Sequence, residues 1–233
     1  LERAVNSKTR LLILNSPSNP TGAVYRKATL EAIAAIAVKH NFMVLSDEIY
    51  EKLVYEKDFP HVSIAALNPQ IAELTITVNG FSKAYAMTGW RLGYLTAPMW
   101  LSKKISALQS HLTSNPTTFA QYGGLKALEC GEPEIERMRQ SFATRRDLIY
   151  QLAGTIPKVK SILPQGAFYL FCDISACGLG SAEFSEKLLE TEKLVVIPGD
   201  AFGADKCIRM SYACSEANIR NAISRLGNFC AKF

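Results

Sequence analysis

The sequence predicts an α/β protein: a larger unit built on a mostly parallel sheet with helices, followed by a small α+β layer. Three observations lead there. A strand, a helix and a second strand succeed one another within about forty residues, and a βαβ unit implies parallel strands covered by helices. Beyond Pro157 the texture changes to short apolar runs separated by helical stretches. The length of 233 residues, 48% hydrophobic and 20% charged, is ordinary for a globular chain with a sizeable core.

In chain order, residues 10–15 (RLLILN) form an apolar run that ends in SPSNPTG, a cluster of turn formers that stops a strand. Between residues 27 and 40, Leu30, Ile33, Ala34, Ala37 and Val38 recur at helical spacing, giving one apolar face for packing on a sheet. Residues 42–46 return as a strand leading into DEIY. Residues 74–79 (LTITVN) are short, apolar and β-branched, and Gly80 bounds them, so they read as a buried strand delivering a loop. Residues 92–96 read as another strand, and helices are expected over 99–109, 115–129 and 132–153, the last long enough to bridge domains. In the small layer, strands are expected at 159–163, 167–172, 194–198 and 208–212, with helices over 181–191 and from Ser215 onward. A boundary near Tyr150 divides the chain into 1–150 and 151–233.

Composition excludes several classes. No apolar run approaches the roughly eighteen residues of a membrane helix, and LERAVNSKTR lacks the apolar centre of a signal peptide, so a cytoplasmic protein without membrane partners is expected. The six cysteines show no CxxC spacing, which suggests reduced thiols and neither a zinc site nor a disulfide framework. The net charge of +5 is a mild excess, and no Lys/Arg cluster is interleaved with aromatics, which argues against nucleic acid and leaves room for a small anionic ligand.

Chemistry concentrates in residues 78–94, VNGFSKAYAMTGWRLGY. A lysine that loses its charge on partial burial offers a neutral amine, which forms a Schiff base with an aldehyde. Lys83 follows the predicted strand closely enough to be delivered to a site. Arg91 lies eight residues on, in a turn flanked by Gly89 and Gly93, and a guanidinium held on a loop is a ready bidentate partner for phosphate. For an isolated lysine the solvated surface role is far commoner. The whole string outweighs that prior: glycine, aromatic, serine, lysine, then arginine and a final glycine resembles the lysine signature of class I pyridoxal-phosphate aminotransferases. NPTG and DEIY are motifs of the same family.

The resemblance extends from about Arg10 to the end of the chain and is closest to aspartate and glutamate/aspartate–prephenate aminotransferases. It implies the fold-type I architecture of pyridoxal-phosphate transferases, here an incomplete large domain plus a small C-terminal domain. It also implies pyridoxal 5'-phosphate as cofactor, covalently carried by Lys83. Asp47 would pair with the pyridinium nitrogen, Asn19 and Tyr50 would bond the phenolic oxygen, and Ser82 and Arg91 would take the phosphate. Arg209, with Asn19, would hold the substrate's α-carboxylate. Read singly, Asp47 is as well explained as a turn former after a strand, Tyr50 as an aromatic packed under a loop, and Arg209 as an exposed strand residue. The position three before the lysine is a phosphate-binding serine in some relatives and is Gly80 here.

The expected reaction of the intact enzyme is transamination between an amino acid, aspartate or glutamate first, and a 2-oxo acid, in a homodimer without metal. Prephenate or another amino acid as substrate stays open, and so does an inactive fragment or a regulator's effector domain. Relative to the family, counterparts are missing for the N-terminal arm, the glycine-containing phosphate loop, the aromatic stacked on the ring and the groups lent to a partner. The chain alone is therefore expected to be cofactor-free, self-associated and inactive. The Asn19–Pro20 bond is a candidate cis peptide, because Asn19 must turn inward within a tight turn.

Overall fold

A computed structural model describes residues 1–56 and 58–233. Contacts divide these into two compact units, Leu1–Pro17 with Val24–Arg137, and Ser18–Ala23 with Met138–Phe233.

The first unit holds β1 (Leu11–Asn15), α1 (Lys27–His40), β2 (Met43–Asp47), α2 (Pro69–Ala72), β3 (Thr75–Gly80), β4 (Gly93–Thr96), α3 (Met99–Leu112) and α4 (Thr118–Cys130). Its sheet runs β1-β2-β3-β4. β1 pairs with β2 and β2 with β3 in parallel, with Asn15 opposite Asp47 and Asp47 opposite Val78. β4 is antiparallel to β3, with Gly93 opposite Gly80. Three strands therefore finish, and the fourth begins, at one edge of the sheet.

Most of the predicted apolar stripe of α1 is present: Leu30, Ala34 and Ala37 are buried against Leu14, Phe42, Val44, Ile64 and Ile71, and Ile33 packs beside them, whereas Val38, expected on the same face, is exposed. Fully burying the leucine, valine, isoleucine and phenylalanine side chains contributes roughly 1.5–3 kcal/mol each. α1 stops at Asn41, whose left-handed backbone (φ 51°) suits asparagine and sends its N–H to the carbonyls of Ala37 and Val38. The unforeseen α2 has a readable start, since Asn68 accepts the Ile71 N–H and Pro69 occupies the first turn. β1 carries Leu11 and Ile13 on an exposed face, Ile13 at 70%, so only its other face reaches the core.

The helix α5 (Glu132–Ala153) contains the division between the units, whereas the sequence placed a boundary near Tyr150 in the same helix. The second unit adds β5 (Lys160–Ser161), β6 (Tyr169–Asp173), α6 (Ser181–Glu192), β7 (Ile197–Pro198), β8 (Cys207–Ser211) and α7 (Glu216–Cys230). The sheet is antiparallel throughout, in the order β5-β6-β8-β7. Its outer strands are shorter than expected, and Pro198, which has no N–H to donate, suits an edge. Phe184 of α6 meets Phe229 of α7 edge-on at 5.0 Å, and Leu170, Ile208 and Met210 of the sheet are buried. All six cysteines are free, and burial pushes the Cys172 and Cys230 thiols up to about 12.

Ser18–Ala23 joins the second unit through its backbone. The Gly22 carbonyl accepts the N–H groups of Gln165 and Gly166 at 2.9 and 2.8 Å, and Gly22 itself has φ +68°. A Cβ there would lie 2.6 Å from Pro164 Cβ and 2.8 Å from the Gly166 carbonyl oxygen. The Asn19–Pro20 bond is cis, as is Ser16–Pro17. Gly22→Ala combines a left-handed backbone with overpacking and is expected to cost about 2–4 kcal/mol. Urea unfolding read from the second unit's aromatic signals checks this, and an unchanged midpoint would contradict it.

Candidate active site

The loop carrying Lys83 is a closed structure that folds on itself. It leaves β3 at Gly80 and returns at Gly93, where the two backbones approach closely: a Cβ on Gly80 would meet Gly93 Cα and the Leu92 carbonyl oxygen, both at 3.1 Å. Any side chain at position 80 would require neighbouring backbone to shift. Inside the loop, Phe81 N–H bonds the Leu92 carbonyl, and the Phe81 carbonyl accepts from Tyr85 and Met87. The Lys83 carbonyl accepts the Ala86 N–H, and Ala86 and Arg91 both take φ 53°. Two non-glycine residues in the left-handed region store strain, which tends to be retained where a side chain must be aimed.

What holds the loop down is legible in QYGGL. A Cβ on Gly123 would lie 2.5 Å from the Trp90 ring, and one on Gly124 would lie 2.5 Å from Leu92 Cδ2 and 3.1 Å from Phe81 Cζ. The glycine pair thus opens α4 to the loop's apolar side chains, where Phe81, Met87 and Leu92 are buried together. Burial also raises the phenols of Tyr85 and Tyr94, which pack on Phe81 at 5.2 and 5.7 Å.

On this base the first unit brings predicted site residues to one sheet edge. Asp47 is the last residue of β2 and half-buried; its carbonyl accepts from Ser16 N and Asn15 Nδ2, both at 3.2 Å, and its Oδ1 accepts the Ile49 N–H at 3.1 Å. Tyr50 follows, buried, and the Lys83 amine sits 5.9 Å from the centre of its ring. Ser82 and Lys83 are half-buried, while Arg91 is exposed and donates to the Thr88 carbonyl at 2.9 Å. Amine, carboxylate, phenol, hydroxyl and guanidinium are the donor set that a phosphorylated pyridine aldehyde requires, so these residues fit pyridoxal phosphate.

Asn19 and Arg209 belong to the second unit. Arg209 lies on β8 between Phe171 of β6 and Ile197 of β7, and its Nη1 donates to Asn19 Oδ1 at 2.7 Å. Its guanidinium stacks on Tyr169 at 4.5 Å and on Phe202 at 5.3 Å from the ring centres. These two aromatics were not singled out from sequence, although Tyr169 lies in the run at 167–172 that was expected to be a strand. Among the described residues the buried Arg209 Nε finds no hydrogen-bond partner. A buried donor left unmade costs about 1–3 kcal/mol, and a carboxylate beside the guanidinium would satisfy it.

Residues 1–226 match the family Aminotransferase class I and II. Among curated relatives, an aspartate aminotransferase of Bacillus sp. (strain YM-2) is 44% identical over 98% of the chain and 59% of its own length. Aromatic-amino-acid aminotransferase 2 of Thermococcus litoralis is 46% identical over 97% of the chain and 58% of its own length. A crystal structure of an aromatic aminotransferase from Pyrococcus horikoshii OT3 superposes with a TM-score of 0.95 at 42% identity, covering 99% of this chain and 62% of that one. The chain therefore spans about 60% of the proteins it resembles, with the fold-type I architecture that the sequence predicts. It belongs to the class I and II aminotransferases.

Proposed function

We propose that the full-length protein is a pyridoxal 5'-phosphate-dependent aminotransferase that exchanges the amino group of aspartate or glutamate with a 2-oxo acid, working as a homodimer. The observation carrying this reading is the Lys83 amine, beside Tyr50 and just past β3, on the sheet edge where β2 ends in Asp47. Such a placement serves a covalently held ligand better than a solvated surface lysine. When bound, pyridoxal phosphate supplies a conjugated ring that accepts the electrons of the substrate's broken Cα–H bond.

The chain's residues supply the rest. Lys83 would anchor the cofactor through its amine, and the same amine would take and return a proton at the substrate's α-carbon. Asp47, fixed at its carbonyl and at Oδ1, would hold a proton on the ring nitrogen. Tyr50 would donate to the phenolic oxygen, and Ser82 and Arg91 would take the phosphate. In the second unit, Arg209 grips the α-carboxylate and fills its unused Nε–H, while Asn19 orients the guanidinium. An aromatic amino acid as donor is the second reading, favoured by the name of the Thermococcus relative. A panel of aspartate, glutamate, tyrosine and phenylalanine donors separates the two. Among the described residues no helix is long and apolar enough to cross a membrane.

Three substitutions in the full-length protein test these roles. Lys83→Ala should lower transamination by at least about 10²–10⁴-fold, the usual contribution of a positioned acid–base group, and retained turnover would end the assignment. Asp47→Ala should bind cofactor yet slow exchange of the substrate's α-proton with solvent; normal exchange contradicts its role. Arg209→Lys should weaken substrates through their carboxylate by about 1.5–3 kcal/mol with cofactor affinity unchanged, because lysine lacks the planar fork. Equal discrimination between an amino acid and its decarboxylated amine in both proteins would leave Arg209 merely structural.

A further inference from the structure

Directly after Asp47 stands a buried carboxylate to which the proposed chemistry gives no work. Glu48 is 2% exposed and lies in the first unit. Its Oε1 accepts the hydroxyls of Ser46 and Ser63, each at 2.8 Å, and its Oε2 meets His61 Nε2 at 3.0 Å. A carboxylate only accepts, so His61 is the donor through Nε2. Glu51 brings a third ligand-type atom within 4.8 Å of Glu48 and His61. Both Glu48 oxygens are already engaged by three donors, so the group needs no cation to hold its place.

Burying a carboxylate is costly, and a fold that merely had to fill this space would use an apolar side chain. The position explains the choice. Successive side chains of a strand point to opposite faces, so Ser46 and Asp47 face opposite sides of β2, and Glu48, the first residue beyond it, turns its carboxylate to the Ser46 side, where the two bond. The Glu48 N–H continues the ladder by donating to the Val78 carbonyl at 2.9 Å, while the Asp47 carbonyl is tied to Ser16 and Asn15. Without a side-chain anchor, the last residues of β2 could twist or slip, and a one-residue slip would exchange the faces of Asp47 and Glu48.

We propose that Glu48, clamped by His61 and Ser63, is the positioning residue for Asp47: it locks the end of β2 so that the Asp47 carboxylate keeps its aim. This rests on the reading of Asp47 as partner of the cofactor's ring nitrogen. Glu48 acts from the opposite face of the strand, and its influence passes through the backbone of one peptide unit. His61 and Ser63 belong to a segment well downstream, so the clamp also ties that segment to the strand end.

The first test needs no cofactor. Amide hydrogen exchange of the full-length protein reads the Ile49 N–H, which bonds Asp47 Oδ1, and the Glu48 N–H, which bonds Val78. In Glu48→Gln both should exchange at least about tenfold faster, the loss of one hydrogen bond to a charged group, while amides of β6 and β8 are unchanged. Ser63→Ala, which deletes one hydroxyl and is the safer variant for folding, should move the same amides in the same direction. His61→Gln, which keeps a donor near the Nε2 position, should restore most of the protection lost in His61→Ala.

The second test uses the full-length protein with pyridoxal phosphate. The ¹⁵N signal of the cofactor's ring nitrogen should shift toward the unprotonated form in Glu48→Gln. Unchanged Ile49 protection in Ser63→Ala and Glu48→Gln, or a uniform loss across the first unit, overturns the positioning role. Failure of the unsubstituted protein to bind the cofactor overturns the proposed function instead, and the exchange experiment still decides whether Glu48 holds Asp47.

Discussion

The register of three parallel strands is the constraint on which the first unit depends. Asn15 stands opposite Asp47 and Asp47 opposite Val78, so β1 and β2 end level and β3 runs two residues further, to Gly80. Everything proposed to touch the cofactor in this unit hangs from that edge: Asp47 and Tyr50 from β2, Ser82, Lys83 and Arg91 from the loop beyond β3. The antiparallel return at Gly80 and Gly93 closes the loop, and the absence of side chains at both positions lets the backbones meet. Parallel sheets place ligands at the carboxyl ends of their strands for this geometric reason, since connections of different origin converge there.

The second unit rests on a different device. Arg209 is surrounded by two aromatic faces and one amide oxygen, which orient a guanidinium without neutralising it. No carboxylate is seen bonding it among the described residues, and Nε remains a buried unmatched donor. A folded protein tolerates such a group where a ligand completes it. Asn19 reaches Arg209 because Gly22 binds the Gln165–Gly166 backbone, which draws a six-residue segment from near the start of the chain into the later unit.

Much of this was legible in the sequence, for physical reasons. Strands β1, β2 and β3 and helix α1 follow from apolar periodicity and turn formers, and the lysine loop from its resemblance to the aminotransferase lysine signature. Local rules also explain the departures. Pro116 disfavours helix at Asn115, so α4 begins at Thr118. The strands β5 and β7 shrink because edges pair on one side only. Long-range partnerships left no local trace: the transfer of Ser18–Ala23, the aromatics beneath Arg209, and the clamp joining Glu48 to His61 and Ser63. Each rests on groups far apart in the chain, and His61 and Ser63 read alone as ordinary loop residues.

We propose Lys83, beside Tyr50 and just past β3, as the one lysine among the described residues placed for covalent chemistry. Reducing the full-length protein with borohydride after incubation with pyridoxal 5'-phosphate, then mapping peptides by mass, tests it most directly. One pyridoxyl group per chain is expected, on Lys83, with labelling prevented when Lys83 is replaced by alanine. A label spread over surface lysines, or stoichiometric modification elsewhere with Lys83 untouched, would contradict it.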